Sequence, residues 1–224
     1  MDISMSYNNA TFQLNYASWH VINFFNFRTK VLIFIIVSAF LLSSCQSNGK
    51  KPDVKAPVMS SEIANFTPQQ ELNYNKALEY LNSKKNHSEA EALLLKLTEQ
   101  QPNLPGPWAN LGLLNLLQKK PVEAENFVKR ALKINPKMSQ ALNLMGLIAT
   151  HNRDIKSAEN YYLEAIAIKK DYSNAHYNLA LLYDIYLQDI RKAAKHYRHY
   201  LRSINNKDEI TLNWTEQLER SLTR

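Results

Sequence analysis

The sequence predicts an all-α fold, a solenoid of about four helix-turn-helix repeats that ends in a C-terminal capping helix. Four glycines and eight prolines in 224 residues are few for an all-β chain, which needs many tight turns, whereas a hydrophobic content of 45% is enough for a core. A pattern of large and small residues also recurs every 34 residues over most of the chain. Because each such unit buries only part of its apolar surface, the units are expected to stack.

Residues 1–44 are predicted to be an export signal with an unusually long N-terminal prefix. The apolar run at residues 31–42 would rise only about 18 Å as a helix, against about 30 Å for the hydrocarbon core of a bilayer. Arg28 and Lys30 precede this run, and two serines follow it. This order of charged, apolar and small residues is typical of a cleaved secretory signal.

The last residues of this segment, Leu42-Ser43-Ser44-Cys45, resemble the bacterial lipobox. The resemblance implies cleavage before Cys45 and a lipid on that cysteine. It also implies a place on the periplasmic side of the bacterial outer membrane, because Gln46 rather than aspartate follows. Two alternatives stay open: an ordinary cleaved signal followed by a buried cysteine, or an uncleaved membrane helix. Cys45 is the only cysteine, so no disulfide can form within the chain.

Residues 45–69 are predicted to be the lipidated N-terminus and a flexible tether. The segment is rich in proline, serine, lysine and asparagine, and it has few large apolar residues before Phe66. Such a tether would let a folded domain stand away from a bilayer.

Residues 70–207 contain four similar units, at 71–104, 105–138, 139–172 and 173–207. The second unit has a large residue, a large-small pair, two alanines on either side of an apolar residue, and a closing proline. These residues are Trp108, Leu111, Gly112, Ala124, Val128, Ala131 and Pro136. Similar residue classes recur one period earlier and later, and again in the fourth unit after a one-residue insertion.

This pattern resembles the tetratricopeptide repeat family, whose unit is a pair of antiparallel helices. Small residues such as Gly112 are expected where the two helices of a unit cross at about 8 Å. Pro136 is expected to stop a second helix. Leu78, bulky at a small position, and His176, polar at a large one, depart from the pattern near the edges of the array.

Residues 208–224 are predicted to form the capping helix. Trp214, Leu218 and Leu222 are at helical spacing there, and a solenoid needs its last exposed face covered.

The family resemblance implies that the first helix of each unit lines a concave groove that holds a peptide or helix of a partner. The groove residues expected from the repeat spacing are Asn110, Leu113, Leu117, Asn143, Leu147, His151, Tyr177, Asn178 and Leu181. Asn110 and Asn178 match the asparagine with which the family can hydrogen-bond a peptide backbone. Leu144 occupies the intervening place, so a ladder of asparagines is expected to be interrupted. The alternative for the leucines is packing between helices.

No residue pattern indicates catalysis, so the protein is not expected to be an enzyme or to need a cofactor. His196 and His199 could share one helix face as metal ligands, but no third ligand has a matching spacing and basic residues surround them. No metal site is therefore expected, although a metal-binding accessory domain that also uses His176 is kept as an alternative.

The composition favours a protein partner over nucleic acid. The net charge of +7 comes from lysines and arginines spread along the chain, without a basic stripe interleaved with aromatic residues. The expected function is that of a non-catalytic adaptor, an envelope lipoprotein that scaffolds a secretion, pilus or cell-wall assembly. A structural subunit that self-associates into a homo-oligomer is the second alternative.

Overall fold

The computed structural model describes residues 66–83 and 86–223, so the predicted signal, Cys45 and most of the tether lie outside the described residues. The described chain forms nine α-helices: α1 (Pro68–Leu81), α2 (His87–Gln100), α3 (Pro105–Leu117), α4 (Pro121–Ile134), α5 (Ser139–His151), α6 (Ile155–Ile168), α7 (Ser173–Leu181), α8 (Ile190–Ser203) and α9 (Glu209–Leu222). A π-helical segment, Leu182–Leu187, continues α7. The predicted all-α solenoid of paired helices is confirmed.

The local sequence explains where the helices begin. Proline lies in the first turn of α1, α3 and α4, where its missing N–H removes no intrahelical hydrogen bond. Thr67 and Gln70 form a capping box at α1, because each backbone N–H donates to the other's side-chain oxygen, at 2.9 and 3.3 Å. Helices α6, α8 and α9 begin after Asp154, Asp189 and Asp208, and each of these carboxylates accepts a backbone N–H.

The turn inside each of the last three units contains one residue in the left-handed region. These residues are Lys119, Arg153 and Gln188, with φ of 62°, 62° and 54°. In the third unit the N–H of Asp154 donates to the carbonyl of Ala149, whereas in the fourth the N–H of Asp189 reaches one residue further back, to Tyr183, both at 2.9 Å. The π-helical segment therefore absorbs the one-residue insertion, as a single π turn can within a helix.

Alanine and glycine bring the two helices of each unit together. The fully buried alanines at these crossings are Ala77, Ala90, Ala124, Ala158, Ala180 and Ala193. A Cβ added to Gly146 on α5 would lie 2.3 Å from a ring carbon of Tyr162 on α6, and one added to Gly112 would lie 2.4 Å from a methyl of Val128. The two middle units thus cross too closely for even a methyl group unless a buried side chain moves.

The helices form two layers. Each first helix, α1, α3, α5 or α7, packs against the first helix of the neighbouring unit, and each second helix packs between its own first helix and the next one. Leu78 is half-buried, between the Tyr74 cluster and the Leu81 cluster. In the part of the chain that the structure describes, every helix is too short or too polar to cross a membrane.

Helix α9 packs on α8 as a capping helix, but with a different face from the one its apolar spacing indicated. Trp214 is 47% exposed and Leu222 37% exposed, whereas Thr211 and Thr215 are buried. Thr211 lies close enough to Tyr177 to hydrogen-bond its phenol, and the hydroxyl of Thr215 donates to the carbonyl of Thr211 within the helix, at 2.6 Å. The indole Nε1 of Trp214 donates to Oδ2 of Asp184 at 2.8 Å, which holds the ring at the edge of the array.

Candidate functional site

A line of hydrogen-bonded polar side chains joins the first helices of all four units. The side-chain amide of Asn110 donates to the hydroxyl of Tyr74, and Nε2 of Gln140 donates to the side-chain oxygen Oδ1 of Asn110, both at 2.9 Å. One turn further along α5, Asn143 accepts from Asn178 on α7, also at 2.9 Å. These five residues are called the inner polar line below.

The inner polar line bypasses the position where an interruption was expected. Leu144, one period after Asn110, is buried as an apolar core residue. Gln140 and Asn143 lie four residues and one residue before it on α5, and each bonds a different neighbouring helix. Two amides one turn apart therefore make the hydrogen bonds to the neighbouring first helices that were expected of a single asparagine at position 144.

The nine predicted groove residues divide by exposure. Five are buried: Asn110, Asn143, Leu147, Tyr177 and Asn178. Leu113, Leu117 and Leu181 are half-buried, and His151 is exposed. The buried residues hold neighbouring helices together, so only the last four offer atoms to a partner.

Tyr177 lies in the packing of the fourth unit rather than on an open groove surface. Its ring makes edge contacts with Tyr197 and Tyr200 of α8, at centroid distances of 5.8 and 4.8 Å. Burial raises the pKa of Tyr177 to about 12, and the nearby carboxylate of Asp208 adds to this effect. The phenol is therefore neutral at physiological pH.

Three histidines meet where α7 and α8 cross, and they are called the histidine cluster below. Nδ1 of His176 lies 2.9 Å from Nδ1 of His196, and Nε2 of His176 lies 2.9 Å from the carbonyl oxygen of Lys170. A carbonyl only accepts, so His176 carries its proton on Nε2, and its Nδ1 accepts from the Nδ1–H of His196. The ring of His199 stacks on His176, with centroids 4.7 Å apart.

All three imidazoles of the histidine cluster have lowered pKa values. Burial, reinforced by the two other histidines and by nearby lysines, lowers the pKa of His196 to about 4. Burial is also the largest cause that lowers the pKa of His176, partly offset by the hydrogen bond to the Lys170 carbonyl. For His199, burial comes first and the charge of Arg202 second. The cluster is therefore neutral at pH 7.

The geometry does not favour the metal alternative for these histidines. Among the described residues, no group of three or more histidine, cysteine, aspartate or glutamate side chains is placed to hold a metal ion. The Nδ1 lone pair of His176 already accepts a hydrogen bond from His196, and zinc needs three or four free ligands.

Sequence spacing missed two members of the inner polar line and the packing of His176. Gln140 lies one helical turn before Asn143, a spacing that could have suggested it. Tyr74 occupies the large-residue position of the first unit, one period before Trp108, and its hydroxyl contact depends on tertiary packing.

Residues 139–172 match the tetratricopeptide repeat family model. A segment of 85 residues, 38% of this chain, is 32% identical to mouse BBSome complex member BBS4, and the match covers only 16% of that protein. The structure resembles that of Pseudomonas aeruginosa PilF, with a TM-score of 0.58, 20% identity, and coverage of 68% of this chain and 69% of that one.

The structure also resembles that of TTC0263, a tetratricopeptide repeat protein of Thermus thermophilus. The TM-score is 0.59 and the identity 18%, with coverage of 70% of this chain and 84% of that one. At these identities the likeness defines the fold, a tetratricopeptide-like solenoid. Together with the matched repeat, it supports the predicted family.

Proposed function

We propose that this protein is a non-catalytic adaptor that binds a protein partner along the inner face of its helical array, the side formed by the first helices α1, α3, α5 and α7. The observation that carries the proposal is the row of half-buried leucines beside the inner polar line. Leu113 and Leu117 lie one and two turns beyond Asn110 on α3, and Leu181 lies one turn beyond Asn178 on α7. Apolar side chains left partly open beside organised polar groups favour an apolar helix or strand of a partner.

The nature of the relatives agrees with this proposal. Tetratricopeptide repeats in general mediate contacts between proteins, and BBS4 is by its name a member of a protein complex. The inner polar line would support binding by holding the first helices at fixed spacing, so that little ordering is needed when a partner arrives.

We further propose that a lipid on Cys45 holds the protein on the periplasmic side of a bacterial outer membrane. There it would scaffold a secretion, pilus or cell-wall assembly. The support is the charged, apolar and small-residue order of residues 28–44, followed by the only cysteine of the chain.

The adaptor proposal is tested by crosslinking and recovery of the full-length chain from solubilised membranes. The test variant is Leu117→Glu with His151→Glu, which places two carboxylates on the inner face at half-buried and exposed positions. Leu147 is unsuitable, because it is buried and a carboxylate there would destabilise the fold. The matched control is Val122→Glu with Ile168→Glu, at exposed apolar positions on second helices.

Discrete partners should be lost from the test variant and kept by the control, with melting temperatures close to that of the wild type. Recovery of the same partners by a folded test variant would contradict binding on the inner face.

The anchoring proposal is tested separately, by mass spectrometry of chain extracted from membranes. The expected species begins at Cys45 and carries a diacylglycerol on its sulfur. An intact chain with a free Cys45 thiol would refute the anchor and leave the adaptor proposal standing.

A further inference from the structure

Helix α8 differs in charge from every other second helix of the array. It carries Arg191, Lys192, Lys195, Arg198 and Arg202, and no acidic residue. In contrast, α2 contains three glutamates, and α4 and α6 contain two each. The basic character is therefore specific to the fourth unit and is not a general property of the outer layer.

The cations of α8 lie on one side of the helix. Its buried side consists of alanines, tyrosines and Leu201. The opposite side exposes Arg191, Lys195 and Arg202, spaced by one or two turns over a helix about 21 Å long. These three exposed cations, together with Lys192, are called the basic face below.

Local acidic groups neutralise only part of this charge. Lys192 pairs with Asp189 at 3.3 Å, and Arg198, beside the basic face, forms a two-point ion pair with Glu219 of α9. Within the described residues, Arg191, Lys195 and Arg202 have no carboxylate within ion-pair distance, although Asp171 lies close enough to act on His199. The charges of Lys195 and Arg202 also contribute, after burial, to the lowered pKa of His199, which places both cations near that ring.

We propose that the basic face of α8 docks on the anionic headgroups of a lipid bilayer. The exposed side of a single outer helix presents its cations in a row, which fits a flat charged surface, whereas an acidic peptide is better held by cations that converge on a groove. The inference rests on the membrane attachment proposed above. A lipid chain and a basic patch are two signals that together give stable membrane association, where one lipid chain alone is marginal.

Docking would also orient the array. The basic face lies on a second helix, and the inner polar line lies on the first helices. With α8 against the bilayer, the inner face remains open to a partner.

The test reconstitutes the full chain on vesicles and measures how fast Lys195 is acetylated. One set of vesicles is phosphatidylcholine, and the other contains phosphatidylglycerol as well. Lys156, exposed on α6, is the internal reference. Lys195 should be protected only on the anionic vesicles, and high salt should remove the protection because the contact is electrostatic.

The variant Arg191→Glu with Arg202→Glu removes two cations and leaves Lys195 as the reporter. Each cation near an anionic surface contributes roughly a fivefold gain in the docking equilibrium constant, so the ratio of protected to unprotected Lys195 should fall by at least about 25-fold. The matched control, Lys133→Glu with Lys137→Glu, changes the net charge equally at exposed positions in and after α4 and should keep the protection.

Three results would overturn the docking proposal. They are equal labelling of Lys195 on both kinds of vesicle, protection of Lys195 that persists in the variant Arg191→Glu with Arg202→Glu, and a loss of protection in the control as large as in that variant. Protection by soluble polyglutamate without vesicles, and not by anionic vesicles, would assign the basic face to an acidic protein instead. A chain that attaches to neither vesicle contradicts the anchor, whereas a chain attached to both with Lys195 equally labelled contradicts only the docking.

Discussion

Acidification from about pH 7.5 to about pH 5 should destabilise the fourth unit through the histidine cluster. The neutral pair shares one proton between the Nδ1 atoms of His176 and His196, which are 2.9 Å apart. One added proton can be held on Nε2 of His196, whose Nδ1–H still donates to Nδ1 of His176. A second added proton makes the two Nδ1–H groups of His176 and His196 face each other, and it places two positive charges in a largely buried site.

The sign and size of the effect follow from His196. Its pKa is about 4 in the folded chain, against an ordinary value of 6.5, so the unfolded chain binds more protons between these values. The stabilisation is therefore complete above pH 6.5 and is lost as the pH falls toward 4. At pH 5 the full shift would correspond to about 2 kcal/mol, but His196 is only half-buried, and solvent screening reduces this to about 1 kcal/mol.

The assay is thermal unfolding followed by far-UV circular dichroism over this pH range. About 1 kcal/mol corresponds to a fall in Tm of about 2–4 °C for a domain of this size. His196→Asn keeps an amide that can bond His176 but does not titrate, so its Tm should fall by about 2–4 °C less than that of the wild type. His151→Asn, at the exposed end of α5, controls for the loss of a histidine. Parallel losses of Tm in the wild type and His196→Asn would refute the reasoning.

Three further outcomes are expected from packing and capping. Gly146→Ala should lower the free energy of unfolding by about 1–2 kcal/mol in denaturant melts, because the clash with the Tyr162 ring outweighs the gain in helix propensity; an unchanged midpoint would mean that the ring moves freely. Asp208→Ala should cost about 1 kcal/mol and raise amide hydrogen exchange selectively in α9, since its carboxylate caps that helix; uniform exchange along the array would argue against a local effect. Arg198→Met should change stability by less than about 1 kcal/mol at low salt, because its pair with Glu219 is partly exposed; a larger, salt-independent loss would contradict this estimate.

The sequence was sufficient to predict the fold class, because the repeat places small residues at the helix crossings of the second, third and fourth units. Gly112 and Gly146 mark these crossings in the two middle units, and the structure shows that a methyl group would already collide there. The one-residue insertion in the fourth unit was also visible, since Ala193, Tyr197 and Tyr200 match the pattern only after a shift. The sequence did not indicate that the insertion takes the form of a π-helical segment, because an inserted residue can equally lengthen a turn.

The candidate site was predictable only as a set of helix faces. Spacing put Asn110, Asn143 and Asn178 on the groove-facing side of their helices, but their burial depends on how closely neighbouring first helices approach. The partner of Asn110 on α5 is Gln140, and no periodicity with a step of 34 leads to it. Exposure likewise separated Leu113, which is half-buried, from Leu147, which is buried, although the two leucines lie one 34-residue period apart.

The sequence by itself determined that this chain is a stack of paired helices, because helix period, repeat length and residue size are local properties. It also determined the basic character of α8, which requires only the identity of its residues. The tertiary structure alone decided that His176 meets His196, that Tyr177 packs inward on α8, and that threonines rather than Trp214 cover the last unit. Those outcomes depend on the distance and rotation between helices far apart in the chain, which the side chains of several helices set together.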